Sequence, residues 1–166
     1  MRKILTIMCA IMLICLCGCG GKTITPLTNG ISFKALISYY NESYETNVLL
    51  SENGVFTMEI TDPDILKGIT FIFNDGAVKA VYNGIEYVPN ENNTQFFGVA
   101  DKLHSVFDSI KGVSAIEDDG VYSIEGEING DEFEITFGGS GLPLNLKMDD
   151  NISVVFSNAK ITKHTS

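Results

Sequence analysis

The chain lacks tryptophan altogether, has one arginine, and confines its cysteines to one end. The four cysteines are Cys9, Cys15, Cys17 and Cys19. After residue 19 there is therefore no disulfide framework, no thiol nucleophile and no cysteine-based metal site. Because Arg2 is the only arginine, the rest of the chain also lacks the guanidinium group that commonly binds phosphate or carboxylate through two parallel hydrogen bonds. Stability beyond residue 19 must come from the hydrophobic core.

Positive charge is also scarce. The chain has 21 acidic residues and a formal net charge of −10, and loss of Arg2 and Lys3 makes it more negative. Such a surface repels nucleic acid and anionic lipid headgroups. We therefore predict no nucleic-acid partner.

Catalytic and metal-binding patterns are missing as well. The sequence contains no nucleophile elbow, zinc signature or phosphate-binding loop. The carboxylates of Glu125, Glu127, Glu132 and Glu134 are not accompanied by tryptophan, and they are typical of a solvated strand face rather than a glycosidase cleft. The acidic clusters at 117–120 and 149–151 do not have calcium-loop spacing. We predict a protein that is not an enzyme and has no cofactor or metal.

The first nineteen residues have the three parts of a lipoprotein signal peptide. Arg2 and Lys3 give a positive start, and the apolar run 4–16 is too short to span a membrane. The stretch Leu16-Cys17-Gly18-Cys19 resembles the lipobox of bacterial lipoproteins. The resemblance implies removal of residues 1–18, a diacylglycerol on the Cys19 thiol, and an exported protein held at the membrane by that lipid. This would be the outer face of the cytoplasmic membrane, or an outer membrane if the host has one.

Two alternatives to this processing remain. Cys17 could be the modified residue, although Leu16 is bulky for the cleavage position, and the whole segment could be an uncleaved anchor. Beyond it, residues 19–30 are predicted to form the lipidated end and a flexible tether, the alternative being a first strand. Residues 31–162 form a single β-rich domain and 163–166 a tail.

From Ile31 onward the apolar residues mostly alternate with polar ones, which predicts strands with one buried face. Dipeptides such as Asp75-Gly76 and Asn83-Gly84 separate the runs and favour tight hairpin turns. The predicted strands are 31–40, 43–51, 54–61, 69–75, 77–82, 85–88, 121–128, 131–138, 142–149 and 152–158.

One segment has helical spacing instead. Apolar residues three and four apart over 94–111 predict an amphipathic helix, with Thr94 as N-cap and Gly112 as its stop. The predicted fold is therefore mainly β: a curved antiparallel sheet, or unclosed barrel, of about ten strands with the helix on its concave face.

This order of elements resembles the LolA/LolB-like lipoprotein-carrier superfold, an unclosed barrel plugged by helices. The likeness rests on six hairpin-linked strands, a helix and about four further strands, and on the stretch 63–71. It implies an apolar cavity between helix and sheet. The chain has no clear amphipathic helix before its first strand and no arginine to latch a helix to the barrel, so the likeness does not carry lipoprotein transfer with it.

Large apolar residues of the predicted helix and of two strands are the candidate lining of such a cavity. They are Phe56, Met58, Phe71, Phe73, Phe97, Leu103 and Phe107. Side chains of this kind are more commonly part of a closed core. His104, at the edge of the helix's apolar stripe, has no visible catalytic partner and is interpreted as a core-edge residue.

Two main functional hypotheses follow. The first is non-covalent binding of a hydrophobic small molecule, a lipid or a lipidated partner. The second is a structural module with a closed core that docks another protein through its acidic face or an exposed strand edge. A hydrolase is the least supported.

Overall fold

The computed structural model describes residues 21–89, 95–149 and 151–162, and this part of the chain folds as a mainly β domain with one helix, α1 (Gln95–Ser109). Twelve strands form a single sheet. They are β1 (Thr23–Ile24), β2 (Ile31–Tyr39), β3 (Glu42–Leu50), β4 (Phe56–Asp62), β5 (Thr70–Asn74), β6 (Ala77–Tyr82), β7 (Ile85–Tyr87), β8 (Ala115–Asp118), β9 (Val121–Ile128), β10 (Asp131–Phe137), β11 (Pro143–Met148) and β12 (Ile152–Ile161).

The sheet is antiparallel throughout and is not closed. Its strand order is β1-β8-β9-β10-β11-β12-β2-β3-β4-β5-β6-β7, so β1 and β7 are the two edges. Most neighbours are consecutive in the chain, and the main exception is the pairing of β12 with β2, which joins the two halves through residues such as Val154 and Ile37. The predicted fold class, a mainly β unclosed sheet with a helix, is confirmed.

The hairpins form at the predicted turn dipeptides. In Asp75-Gly76, Asn83-Gly84, Asp119-Gly120 and Asn129-Gly130 both residues have positive φ, between 48° and 92°. Two consecutive positive φ values define the type I′ turn, whose twist matches that of the flanking strands. These short-range turns are why consecutive strands lie next to one another.

Alternation gives the sheet two distinct faces. In β2 the side chains of Ile31, Phe33, Ala35 and Ile37 are buried, and the residues between them are more exposed. We call the buried side the inner face and the opposite side the outer face. α1 lies on the inner face, and every member of the buried core falls between residues 31 and 156. Among the described residues the buried core therefore lies entirely in this range.

α1 confirms the predicted helix with slightly different ends. It begins at Gln95 and ends at Ser109, and the chain leaves it through Gly112 at φ +74°. Thr94, the predicted N-cap, lies outside the described residues. So do the signal sequence with Leu16, Cys17, Gly18 and Cys19, and the tail 163–166.

Two short strands are absent from the predicted set, although a first strand within residues 19–30 was the alternative to the tether. β1 lies within the predicted flexible tether and corrects that prediction at its two residues: Thr23 and Ile24 pair with Ile116 and Ala115 of β8. Further along, Pro26 is buried. The Leu27 N–H donates a 2.9 Å hydrogen bond to the Gly141 carbonyl. β8 itself was also missed. Strands of two and four residues are too short for alternation to identify them.

Within the described ranges no helix combines the length and the apolar character needed to cross a membrane.

Candidate functional site

The seven predicted lining residues all lie between α1 and the sheet. Phe56 and Met58 project from β4, Phe71 and Phe73 from β5, and the remaining three from α1. Each is buried, with at most 7% of its surface exposed. β4 and β5 pair with Phe56 opposite Phe73 and Met58 opposite Phe71, so these four form one compact patch on the inner face. Whether the set opens to receive a ligand stays a prediction.

Aromatic contacts link this patch to the helix. Phe97 stacks on Phe73 with ring centroids 6.3 Å apart and nearly parallel planes. It also lies 6.0 Å from Phe71. Phe107 lies 5.5 Å from Phe33 and 5.9 Å from Phe156. Aromatic pairs at such distances stabilise by about 0.5–1.5 kcal/mol beyond their burial. Ring contacts thus help to hold the helix on the sheet, beside the aliphatic side chains of the same interface.

Some buried rings of this interface were not among the predicted lining residues. They are Phe33, Tyr44, Phe96 and Phe156. Phe33 and Tyr44 occupy alternating positions of predicted strands, and Phe96 belongs to the apolar stripe of the helix. The pattern marked them as buried, but it held no information on which strands pass beneath the helix.

His104 is half-buried at the edge of the helix–sheet contact, where it packs against aromatic rings. Its ring stacks on Phe73 at 4.5 Å and meets Phe56 edge-on at 5.4 Å. Burial lowers the pKa of His104 from its ordinary value, and the nearby Asp108 and Asp101 oppose that shift. An imidazole packed against two phenylalanine rings is a packing residue at the edge of the core, as the sequence indicated.

Little empty space remains between helix and sheet beside His104. The pocket beside His104, Phe56 and Phe107 has a volume of about 10 Å³. That is no more than a single water needs. An apolar ligand therefore has room at this position only after α1 moves.

The inner face continues beyond the helix toward the open edge at β7. Tyr82, Ile85 and Tyr87 lie on the inner side of the last two strands, since Tyr82 pairs with Ile85 and Tyr87 pairs with the buried Ala80. Ile85 is 70% exposed and Tyr82 is 43% exposed. We call these three residues the open lip. They present apolar surface next to the part of the inner face that α1 covers, which we call the apolar trough.

The ion pair between α1 and the sheet in the described ranges joins Lys102 to Asp131 of β10. The Lys102 ammonium holds the pKa of Asp131 below its usual range, while Asp131 raises the pKa of Asp149. Both ends are partly exposed, and such pairs stabilise by about 0–1 kcal/mol. The helix is therefore fixed by apolar packing and hardly at all by charge.

The paired glutamates lie on the outer face, as predicted. Glu125 is directly opposite Glu134, and Glu127 is opposite Glu132. With Asp149 they border an open depression of about 1010 Å³ on the outer face. Among the described residues no group of three or more histidine, cysteine or acidic side chains is arranged to hold a metal ion.

Comparison with known proteins gives similarity at the level of structure. No family model and no curated protein matches the chain. An uncharacterized conserved protein from Thermus thermophilus superimposes with a TM-score of 0.48 at 12% identity, covering 82% of each chain. A LolA superfamily protein from Nitrosomonas europaea superimposes with a TM-score of 0.44 at 7% identity, covering 84% of this chain and 89% of that one.

Proposed function

We propose that this chain is a lipid-anchored protein outside the cytoplasm that binds an apolar molecule, or the acyl chains of a lipidated partner, between α1 and the inner face of its sheet. The binding is non-covalent. Displacement of α1 is the gate, and Cys19 carries the lipid anchor.

The observation that carries the proposal is the nature of the helix–sheet contact. A single helix of 15 residues covers the inner face of a sheet that has two free edges. The contact consists of aromatic and aliphatic side chains, with one partly exposed ion pair at its margin. Moving α1 away would uncover a continuous apolar trough, and an apolar ligand would replace the buried surface that the helix loses.

The open lip supports the same proposal, because it marks a point of entry. Tyr82, Ile85 and Tyr87 continue the apolar inner face into solvent at the β7 edge. Exposed apolar surface adjoining a covered apolar trough is typical of ligand-binding grooves. A ligand that first contacts the lip would need to displace only one helix to be buried.

A cross-link across the ion pair tests the gate directly. The chain 19–166 carrying Cys19→Ser has no cysteine, so Lys102→Cys with Asp131→Cys introduces the only two thiols. A short bismaleimide joining them locks α1 to β10. We expect the unlocked protein to bind an environment-sensitive apolar dye without unfolding, and the locked protein to lose that binding.

The matched control is the same double variant with each thiol capped separately by iodoacetamide, which removes the ion pair without adding a link. It should bind the dye as well as the unlocked chain does. Equal dye binding by the locked and capped proteins would refute a site beneath α1.

The ligand itself is sought in the purified protein. The Cys19→Ser chain is purified from a bacterial host without detergent, extracted with organic solvent, and the extract is examined by mass spectrometry. A lipid present in a stoichiometric amount would support the proposal and identify the class of ligand.

The anchor has a separate test. Metabolic labelling with palmitate should mark the full-length chain and fail for Cys19→Ser. Cys17→Ser is the control, because Cys17 is the alternative acceptor in the same motif. Label lost only in Cys17→Ser would assign the lipid to that residue and refute the proposed cleavage site.

The closed packing favours a second candidate function, the interaction module. About 10 Å³ remains beside His104, and within the described part of the chain the edge strand β7 pairs only with β6. A domain that binds neither dye nor lipid would be explained by this candidate, with a protein partner pairing at a free strand edge.

A further inference from the structure

A groove on the outer face crosses β12, β2, β3 and β4, on the side of the sheet opposite α1. Its volume is about 530 Å³. The lining includes Ser32, Lys34, Asn47 and Thr57, which alternate along their strands with buried inner-face residues, and Lys160 near the end of β12. The register of β12 shifts between Ser157 and Lys160, next to this groove.

Two lysines in this groove are distinguished from the others by having no acidic partner. Five lysines form ion pairs, namely Lys22, Lys67, Lys79, Lys102 and Lys111. Within the described ranges Lys34, Lys147 and Lys160 form none. In a chain with 21 acidic residues, two of these three unpaired cations line the same groove. They give it a positive end on an otherwise negative protein.

The register places these groups around one point. Lys160 pairs directly with Ser32 across the strands, and Lys34 is two residues along the same strand as Ser32. Cα atoms of directly paired residues lie about 4.5–5.5 Å apart, and residues i and i+2 of a strand about 7 Å apart. A small group seated over Ser32 is therefore within reach of both ammonium groups.

The Ser32 hydroxyl supplies an unused donor at that point. Its oxygen is buried and has no hydrogen-bond partner. Buried polar atoms are nearly always paired, so an unpaired one is evidence of a missing partner. The acid in the same groove, Glu59, already accepts a hydrogen bond from the Asn47 amide at 3.2 Å. It lies two strands away from Lys34, about 10 Å by strand spacing.

We propose that this groove binds an oxyanion, a phosphate or carboxylate group, between the ammonium groups of Lys34 and Lys160 and over the hydroxyl of Ser32. The hydroxyl donates to the anion, and the two lysines neutralise its charge. The site is on the opposite face from the proposed apolar trough and is independent of it.

Titration of the ¹⁵N-labelled chain 19–166 carrying Cys19→Ser with inorganic phosphate, at constant ionic strength, tests the site. We expect saturable amide shifts confined to β12, β2 and the neighbouring β3, with a Kd on the order of 1 mM or tighter. Lys34→Gln combined with Lys160→Gln should weaken binding by roughly tenfold or more, because each removes a charge-assisted hydrogen bond.

Two further variants distinguish specific anion binding in this groove from general ion effects on the protein. Lys147→Gln removes the third unpaired lysine, which lies outside the groove, and should leave the Kd unchanged. Ser32→Ala should weaken binding while leaving the urea midpoint of the free protein unchanged or higher, since the hydroxyl it removes has no partner. Shifts that never saturate, or an equal loss of binding in Lys147→Gln, would overturn the proposal.

Parallel titrations with glycerol 3-phosphate and acetate identify the source of the anion. Tighter binding of glycerol 3-phosphate than of inorganic phosphate would assign the site to a phosphodiester or headgroup, and tighter binding of acetate to a carboxylate. Equal affinity for the two phosphates would assign it to free phosphate.

Discussion

Phe107 is the side chain whose removal tests the helix–sheet packing most directly. It is 1% exposed and contacts the rings of Phe33, Phe56 and Phe156. Replacing such a phenylalanine by alanine costs about 3–5 kcal/mol, through lost transfer energy and the void left behind. We expect Phe107→Ala to lower the free energy of unfolding by about 4 kcal/mol. A domain with about 5–15 kcal/mol of total stability would remain folded.

Urea denaturation followed by circular dichroism measures this loss. With an m-value of about 2 kcal/mol per molar, the midpoint should fall by about 2 M. The control is Ile65→Ala, which removes a large apolar side chain that is 85% exposed, and should change stability by less than about 0.5 kcal/mol. A loss below about 1 kcal/mol in Phe107→Ala would refute the packing of α1 described above.

The void gives a second readout on the same variant. Dry apolar cavities bind small apolar molecules, and a ligand that binds only the folded state raises its stability. Benzene should therefore raise the urea midpoint of Phe107→Ala more than that of the original chain, where the pocket beside Phe107 is about 10 Å³ and a ligand must first displace α1. Equal effects on both would show that benzene acts elsewhere.

Three smaller effects follow from the same geometry. Because burial lowers the pKa of His104 from 6.5, protonation favours the unfolded chain, and the urea midpoint should fall as pH drops below about 6.5 toward the lower folded pKa. The fall should be smaller in His104→Phe, and an identical pH profile would contradict the assignment. Burial also raises the pKa of Tyr44 to about 12, so its contribution is complete below pH 10 and is lost as pH rises through about 12, which ultraviolet titration of tyrosinate can follow. Gly126→Ala would place a Cβ 2.6 Å from the Phe133 ring and should lower the free energy of unfolding by about 1–3 kcal/mol. In Gly98→Ala of α1 the new Cβ meets nothing within 4 Å, and the free energy of unfolding should rise by about 1 kcal/mol. Similar urea midpoints for the two variants would show that the Phe133 ring is free to move.

The hairpin-linked halves of the sheet could be predicted because their signals are local. An Asx-Gly pair needs only its own backbone conformation to form a turn, and alternation in the flanking strands then sets which residues face inward. Asp75-Gly76 and Asn129-Gly130 illustrate this, since strands on both sides pair as the pattern predicted. The pairing of β1 with β8 could not be predicted in this way, because about 90 residues separate the partners and each strand is very short.

The sequence predicted which residues of the candidate site face inward, but it did not predict which of their side chains touch. The helical stripe identified Leu103 and Phe107 as inward-facing, and strand alternation did the same for Phe56 and Met58. Which rings touch depends on where the helix crosses the sheet, and that crossing follows from the strand order, in which β12 returns to pair with β2. Phe33 and Phe156 consequently meet Phe107 although the sequence pattern does not connect them.

The sequence by itself determined the class of the domain, its two-faced strands, its helix and the turns between neighbours, because each depends on residues close together in the chain. It also supplies the lipobox-like stretch ending at Cys19, which predicts a processed and lipidated end. Only the tertiary structure decided that little space remains between α1 and the sheet beside His104, and that Lys34, Lys160 and Ser32 line one groove. Both depend on strand register and side-chain packing between distant segments, and no local pattern encodes them.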